Sequence, residues 1–148
     1  MNLGFAFGET LRGNYYLLDD PTNERAMNFT IRAVAKGVVA FAHDPVAHIE
    51  GRLSLEGFAD DVSLEGNLAF RLRRQRRLTY DFTFVGNDRK PYRFRGQKDF
   101  TPLGIIESFT TLSGSLYDEG RSEIGRATLR FDLRSDLVKL LGSFRFVY

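Results

Sequence analysis

Apolar residues return at every second position along most of this chain, and no other feature restricts its fold so strongly. Phe5, Phe7, Leu11, Tyr15 and Leu17 are odd-numbered, and Phe29, Ile31 and Ala33 continue the series. Ile49, Leu53 and Leu55 alternate with His48, Glu50, Arg52 and Ser54. Even positions then take over: Val62, Leu64, Leu68, Phe70 and Leu72, followed by Leu78, Tyr80, Phe82 and Phe84. Successive side chains of a strand point to opposite faces, so the pattern predicts strands with one buried and one wet face. Turn chemistry lies between them, as "DDPTNE" at 19–24, "HDP" at 43–45, "GNDRKP" at 86–91 and "YDEGRSE" at 117–123. Short strands at such spacing predict an all-β sandwich or barrel.

One stretch leaves the two-residue period. "RSDLVKLLGS", 134–143, places Leu137, Leu140 and Leu141 at helical spacing, with Ser135 as a cap and Gly142 as a stop. It predicts one short helix late in the chain, before a last strand "FRFVY". No linker or low-complexity run interrupts the pattern, so residues 1–148 read as a single domain. A chain of that length buries roughly two-thirds of its unfolded surface, enough for a real core.

A weak internal repeat chooses between sandwich and barrel. Apolar-x-Gly-x-apolar occurs as "LRGNY", "IEGRL", "LEGNL" and "LSGSL", with Gly13, Gly51, Gly66 and Gly114 on the inward face. An inward glycine in mid-strand packs nothing and adds chain entropy, so it is costly in a flat sheet. It fits a strongly curved sheet that crowds its own interior. The expected fold is therefore an antiparallel β-barrel of eight to ten strands, of the calycin or allene-oxide-cyclase type. The 14 Phe residues, with no Trp, suit a shared aromatic interior.

A fifth copy, "FRGQK" within "YRFRGQKDF", breaks the rule at its last step. Tyr92, Phe94 and Gly96 hold the inward parity, and Lys98 then stands where an apolar residue belongs. Glu9 breaks the first strand in the same way, on the face of Phe5, Phe7, Leu11 and Tyr15. An unpaired charge in an apolar interior costs several kcal/mol or shifts its pKa. Three outcomes satisfy that constraint: the two pair with each other, they hold the polar group of a ligand, or they titrate as acid and base. Lys98 escapes it if its amine reaches water at a barrel mouth, or if a bulge at Gly96 turns it outward.

Other features carry less. The net charge is 21 − 19 = +2 and gives little reason to expect a nucleic-acid partner. Five arginines crowd "RLRRQRR", 71–77, and read as a solvated hairpin, with Asp60 and Asp61 as candidate counter-charges. His43 and His48 flank Asp44, too few ligands for a metal site. Cys is absent, which excludes disulfides, thiolate nucleophiles and Cys-based metal sites and fits a reducing compartment. No nucleophile elbow or phosphate loop occurs, and no cofactor is called for. The start carries no leader pattern, and the apolar window 33–47 contains Lys36 and Asp44 and is too short to span a membrane. The expectation is a cytoplasmic chain.

The order of motifs is familiar. "GFAFGETLRGNY" resembles a Phe-x-x-Glu-x-Met-x-Gly element, with Leu11 at the Met position. "RRQRRLTYDFTF" resembles an Arg-Arg-Met-x-Tyr strand, with Leu78 for Met. "YRFRGQKDF" resembles a Tyr-x-Leu-x-Gly-x-Lys element, and "RFDLRSDLVKLLGSFRF" a closing strand, helix and last strand. Together they resemble the β-rich accessory domain found beside some cholesterol-oxidase-type glucose–methanol–choline oxidoreductases, whose flavin fingerprint this chain lacks. The resemblance highlights Glu9, Gly13, Tyr80, Gly96 and Lys98 and implies an association with sterol or lipid oxidation.

The expected function is a non-catalytic barrel that binds a small apolar or lipid-like molecule, or serves as an accessory module to an oxidoreductase. Its candidate ligand-binding residues are Glu9, Lys98, Tyr80 and Tyr92. An isomerase- or cyclase-type enzyme using Glu9, Lys98 and Tyr80 in an apolar cup is the first alternative. A solid-core interaction or oligomerisation module, its barrel filled by its own Phe side chains and a homo-oligomer among its possible assemblies, is the second.

Overall fold

The alternating segments become nine strands in a computed structural model that describes residues 4–35, 37, 45–71, 77–99, 111–131 and 145–147. They are β1 (Gly4–Leu17), β2 (Asp20–Ala35), β3 (Val46–Leu55), β4 (Ala59–Arg71), β5 (Arg77–Val85), β6 (Pro91–Asp99), β7 (Thr111–Tyr117), β8 (Glu123–Arg130) and β9 (Arg145–Val147). Each of the first seven pairs antiparallel with the next, and β8 returns to pair antiparallel with β1. The sheet is thus a closed eight-stranded barrel. Along the edge away from β2, β1 is long enough to serve two neighbours: Arg12–Leu17 face β8, while Gly4–Ala6 face β9. The expected late helix at 134–143 lies outside the described residues.

The parity read from the sequence survives folding. Met27, Phe29, Ile31, Ala33 and Ala35 of β2 are buried, and so are Leu78, Tyr80, Phe82 and Phe84 of β5. Outward neighbours such as Thr30, Arg52, Glu65 and Arg95 are exposed. An eight-stranded barrel has a lumen just wide enough for side chains to fill. Here aromatic rings do so. Phe29 of β2 lies edge-on to Phe82 of β5 at 5.3 Å between centroids, and Phe82 stacks on Phe94 of β6 at 5.0 Å.

At the inward glycines the wall leaves no room for a side chain. A Cβ on Gly13, Gly51 or Gly66 would overlap the carbonyl oxygen of Thr128, Thr30 or Asp81 on the adjoining strand. Gly96 and Gly114 do a different job. They face each other across β6 and β7. A Cβ at either would come within 2.7 or 2.5 Å of the Phe94 ring, so the pair forms the notch in which that ring lies.

The two ends of the barrel differ. At one, tight hairpins at 18–19, 56–58, 86–90 and 118–122 join consecutive strands. Gly57, Arg89 and Arg121 adopt positive φ there, and Asp88 and Asp118 accept the backbone N–H groups of Lys90 and Ser122. Tyr15 closes this end by donating its hydroxyl to the Glu56 carbonyl. The connections at the opposite end, 36–45, 72–76, 100–110 and 131–144, are mostly longer. Among the described residues no helix is long and apolar enough to cross a membrane.

Candidate functional site: a charged cluster inside the barrel

Glu9 and Lys98 are the only buried charged side chains among the described residues, at 9% and 3% exposure. Register explains both. Glu9 pairs with Ile31, and Lys98 pairs with Leu78, so each lies on the inward face of its strand. The β5–β6 ladder runs from Arg77↔Asp99 to Val85↔Pro91 without a shift, so no bulge at Gly96 turns Lys98 outward.

The two charges meet. Lys98 Nζ lies 3.4 Å from Glu9 Oε2 and donates to it. Tyr80, also inward and 1% exposed, donates its hydroxyl to Glu9 Oε1. The ammonium is further covered by aromatic faces, 5.2 Å from the Tyr80 ring centroid and 5.7 Å from that of Phe131. Cation–π contact of this kind is worth more when water is excluded. Each buried polar atom of the cluster has a partner, which is what makes an ion pair tolerable in an apolar lumen.

Burial, and secondarily the neighbouring Glu9 carboxylate, hold the Tyr80 phenol well above the ordinary tyrosine range. At neutral pH it is a hydrogen-bond donor and not a base. A carboxylate flanked by an ammonium and a phenol carries no net charge with its lysine. Such a cluster offers donor and acceptor atoms to one polar group inside an otherwise hydrocarbon wall.

The fourth candidate, Tyr92, lies elsewhere. It shares the inward face of β6 with Lys98, but six residues along a strand is roughly 20 Å. Tyr92 packs on Phe58 and Phe84 at the hairpin end and donates to Asp88. That bond, with partial burial, pushes its phenol up to about 12. The structure therefore brings Glu9, Tyr80 and Lys98 together and sets Tyr92 apart from them.

The remaining charged features resolve as surface contacts. Arg77 is held by Asp99 at 2.8 Å, and Asp61 by Arg52 at 3.0 Å. Asp60 and Asp61 stand at the hairpin end of β4, the far end of that strand from Arg71. Residues 72–76 of that run lie outside the described residues, as does His43. His48 points outward, 3.6 Å from Glu65. Phe131, which covers Lys98, went unread in the sequence because it follows the last alternating segment. Its odd number, continuing Ala127 and Leu129, was the available signal.

Compared with known proteins, the chain matches no family model, no curated protein and no solved structure.

Proposed function

We propose that this barrel is a non-catalytic binder of a small apolar or amphipathic, lipid-like molecule, taken at the end carrying the long connections. Its polar group would be met by Lys98, Glu9 and Tyr80. The observation that carries the reading is the charged cluster itself. A buried ion pair is weak support for stability, because well-packed apolar residues of similar volume often do as well or better. A ligand that needs one polar anchor in an apolar wall gives such a cluster a use. The association with an oxidoreductase rests on the sequence motifs alone.

A second reading has its own observation. The interlocked rings of Phe29, Phe82 and Phe94, with the Gly96–Gly114 notch fitted to one of them, fill the middle of the lumen. That favours a solid-core module acting through its outer surface.

Titration with a fluorescent fatty acid and a fluorescent neutral lipid separates the two. The binder reading expects saturable emission from one of them, weakened about tenfold or more in Lys98→Met and in Tyr80→Phe, as loss of a buried charged hydrogen bond implies. Absence of saturable binding by either probe, or binding unchanged in both folded variants, leaves the solid-core reading.

A further inference from the structure

Two properties of the Glu9–Tyr80–Lys98 cluster narrow what it can hold, and the inference from them rests on the binder reading above. The first is charge. Glu9 and Lys98 cancel each other, and Tyr80 joins them as a neutral donor. A ligand carboxylate would bring a second anion beside Glu9, and a ligand ammonium a second cation beside Lys98. Either leaves a net charge in a lumen of hydrophobic side chains, at a cost that expels the ligand or forces a proton on or off. An uncharged polar group meets no such penalty.

The second is hydrogen-bond valence. An ammonium has three N–H donors, and each carboxylate oxygen has room for two. Lys98 directs one donor to Glu9 Oε2, and the Tyr80 phenol donates to Glu9 Oε1. The ammonium's other neighbours are the ring faces of Tyr80 and Phe131. The pair therefore has donors and acceptor sites to offer side by side. A hydroxyl answers both, accepting from the ammonium and donating to the carboxylate. A ketone carbonyl only accepts, so it uses one side of the pair.

The wall beyond the cluster suits a hydrocarbon. Toward the long connections the inward side chains of β2 shorten, from Met27, Phe29 and Ile31 to Ala33 and Ala35. On β3 they pass from Leu55 and Leu53 to Ile49 and Ala47. Phe5 and Phe7 stand opposite Ala35 and Ala33 across the β1–β2 ladder, half-buried and stacked at 6.4 Å between centroids. Glu9 is the next inward residue of β1 after Phe7. We propose that the barrel selects a neutral aliphatic alcohol, its hydroxyl held between Glu9 and Lys98 and its hydrocarbon lying along Ala33, Ala35 and Ala47 against Phe5 and Phe7.

The test uses probes that share a short alkyl tail and differ at the head: 1-octanol, octanoate, octylamine and 2-octanone. Each is titrated into the isotopically labelled full chain at neutral pH and followed by NMR. 1-Octanol should give saturable shifts centred on Glu9, Tyr80, Lys98 and the wall alanines, with the other probes weaker by about tenfold or more, as loss of one charged hydrogen bond implies. Glu9→Gln removes the anion and keeps the shape, so octanoate should overtake 1-octanol in that variant. Ala33→Leu narrows the wall without changing the cluster and should weaken every probe that binds. Octanoate, octylamine or 2-octanone binding the parent as tightly as 1-octanol overturns the alcohol assignment and leaves the binder reading standing. So do saturable 1-octanol shifts centred away from the cluster. No saturable response to any probe overturns both. If Glu9→Gln does not fold, the ranking on the parent decides.

Discussion

The Tyr80 hydroxyl donates to the Glu9 carboxylate from the opposite wall of the barrel, 71 residues further along the chain. β1 and β5 are four places apart in a closed ring of eight strands, so this bond spans the lumen. Lys98 reaches the same carboxylate from β6. One glutamate thus ties the first strand to the middle of the chain, in an interior whose buried side chains, among the described residues, are otherwise hydrophobic.

Breaking the pair from one side should be costly. Lys98→Met leaves Glu9 buried with the phenol alone, and about 3–5 kcal/mol of unfolding free energy should be lost. The double variant Glu9→Leu/Lys98→Met should recover most of that, since no charge is then stranded. Urea unfolding of the parent, the two singles and the double gives the cycle. Single variants within about 1 kcal/mol of the parent would mean that water reaches the pair.

Alkaline pH should loosen the barrel through Tyr80. Its phenol is raised above the unfolded value near 10, so the folded state holds that proton more tightly. The stabilisation is complete below about pH 10 and declines as pH rises through the folded pKa, by up to about 1.4 kcal/mol per pH unit. Absorbance of tyrosinate should show Tyr92 ionising at about 12, with Tyr80 ionising only as the chain unfolds. Tyr80→Phe should flatten the alkaline limb of stability against pH. A parent-like limb in that variant refutes the assignment.

The inward glycines should fall into two classes. Alanine at Gly51 or Gly66 would overlap the neighbouring backbone carbonyl, which cannot step aside without parting the strands. Losses above the usual ~1–3 kcal/mol of overpacking are expected. Alanine at Gly114 meets chiefly the Phe94 ring, and comes within 2.9 Å of the Arg95 carbonyl where Gly51 and Gly66 would stand at 1.9 and 2.0 Å from theirs, so it should cost about 1–3 kcal/mol, and Phe94→Leu in the same chain should restore part of it. Thermal melts of the four variants decide. Equal losses at Gly51 and Gly114, or no compensation by Leu, would count against the two roles.

Arg121 occupies the left-handed region at φ 64° in the β7–β8 turn. A side chain there costs roughly 1–2 kcal/mol, and glycine avoids most of it. Arg121→Gly should raise the melting temperature by a few degrees, about what 0.5–1 kcal/mol yields in a domain of this size. A lower melting temperature would show that the arginine makes a compensating contact.

Much of the barrel was legible because face parity is a local property. A strand's two-residue period assigns each side chain to a wall or a lumen before any partner is known, and it did so for Phe29, Tyr80, Phe94, Glu9 and Lys98. Parity is blind to height. Tyr92 and Lys98 share a face, yet one lies at the hairpin end and the other near the end with the long connections. Asp60 and Asp61 were set beside the arginine run for the same reason: they are near in sequence but at the other end of β4.

Residue order alone was enough to assign the inward-facing side chains, two of them charged. It also pointed to a wall that must bend at its glycines. Those follow from strand geometry and from the cost of leaving a charge or a missing side chain in a packed interior. The folded barrel was needed to show that the sheet closes at eight strands, that Glu9 meets Tyr80 and Lys98 in the lumen, and that Arg12 stands opposite Arg130. Closure, shear and register bring together residues far apart in the chain, and no local pattern encodes which strand lies opposite which.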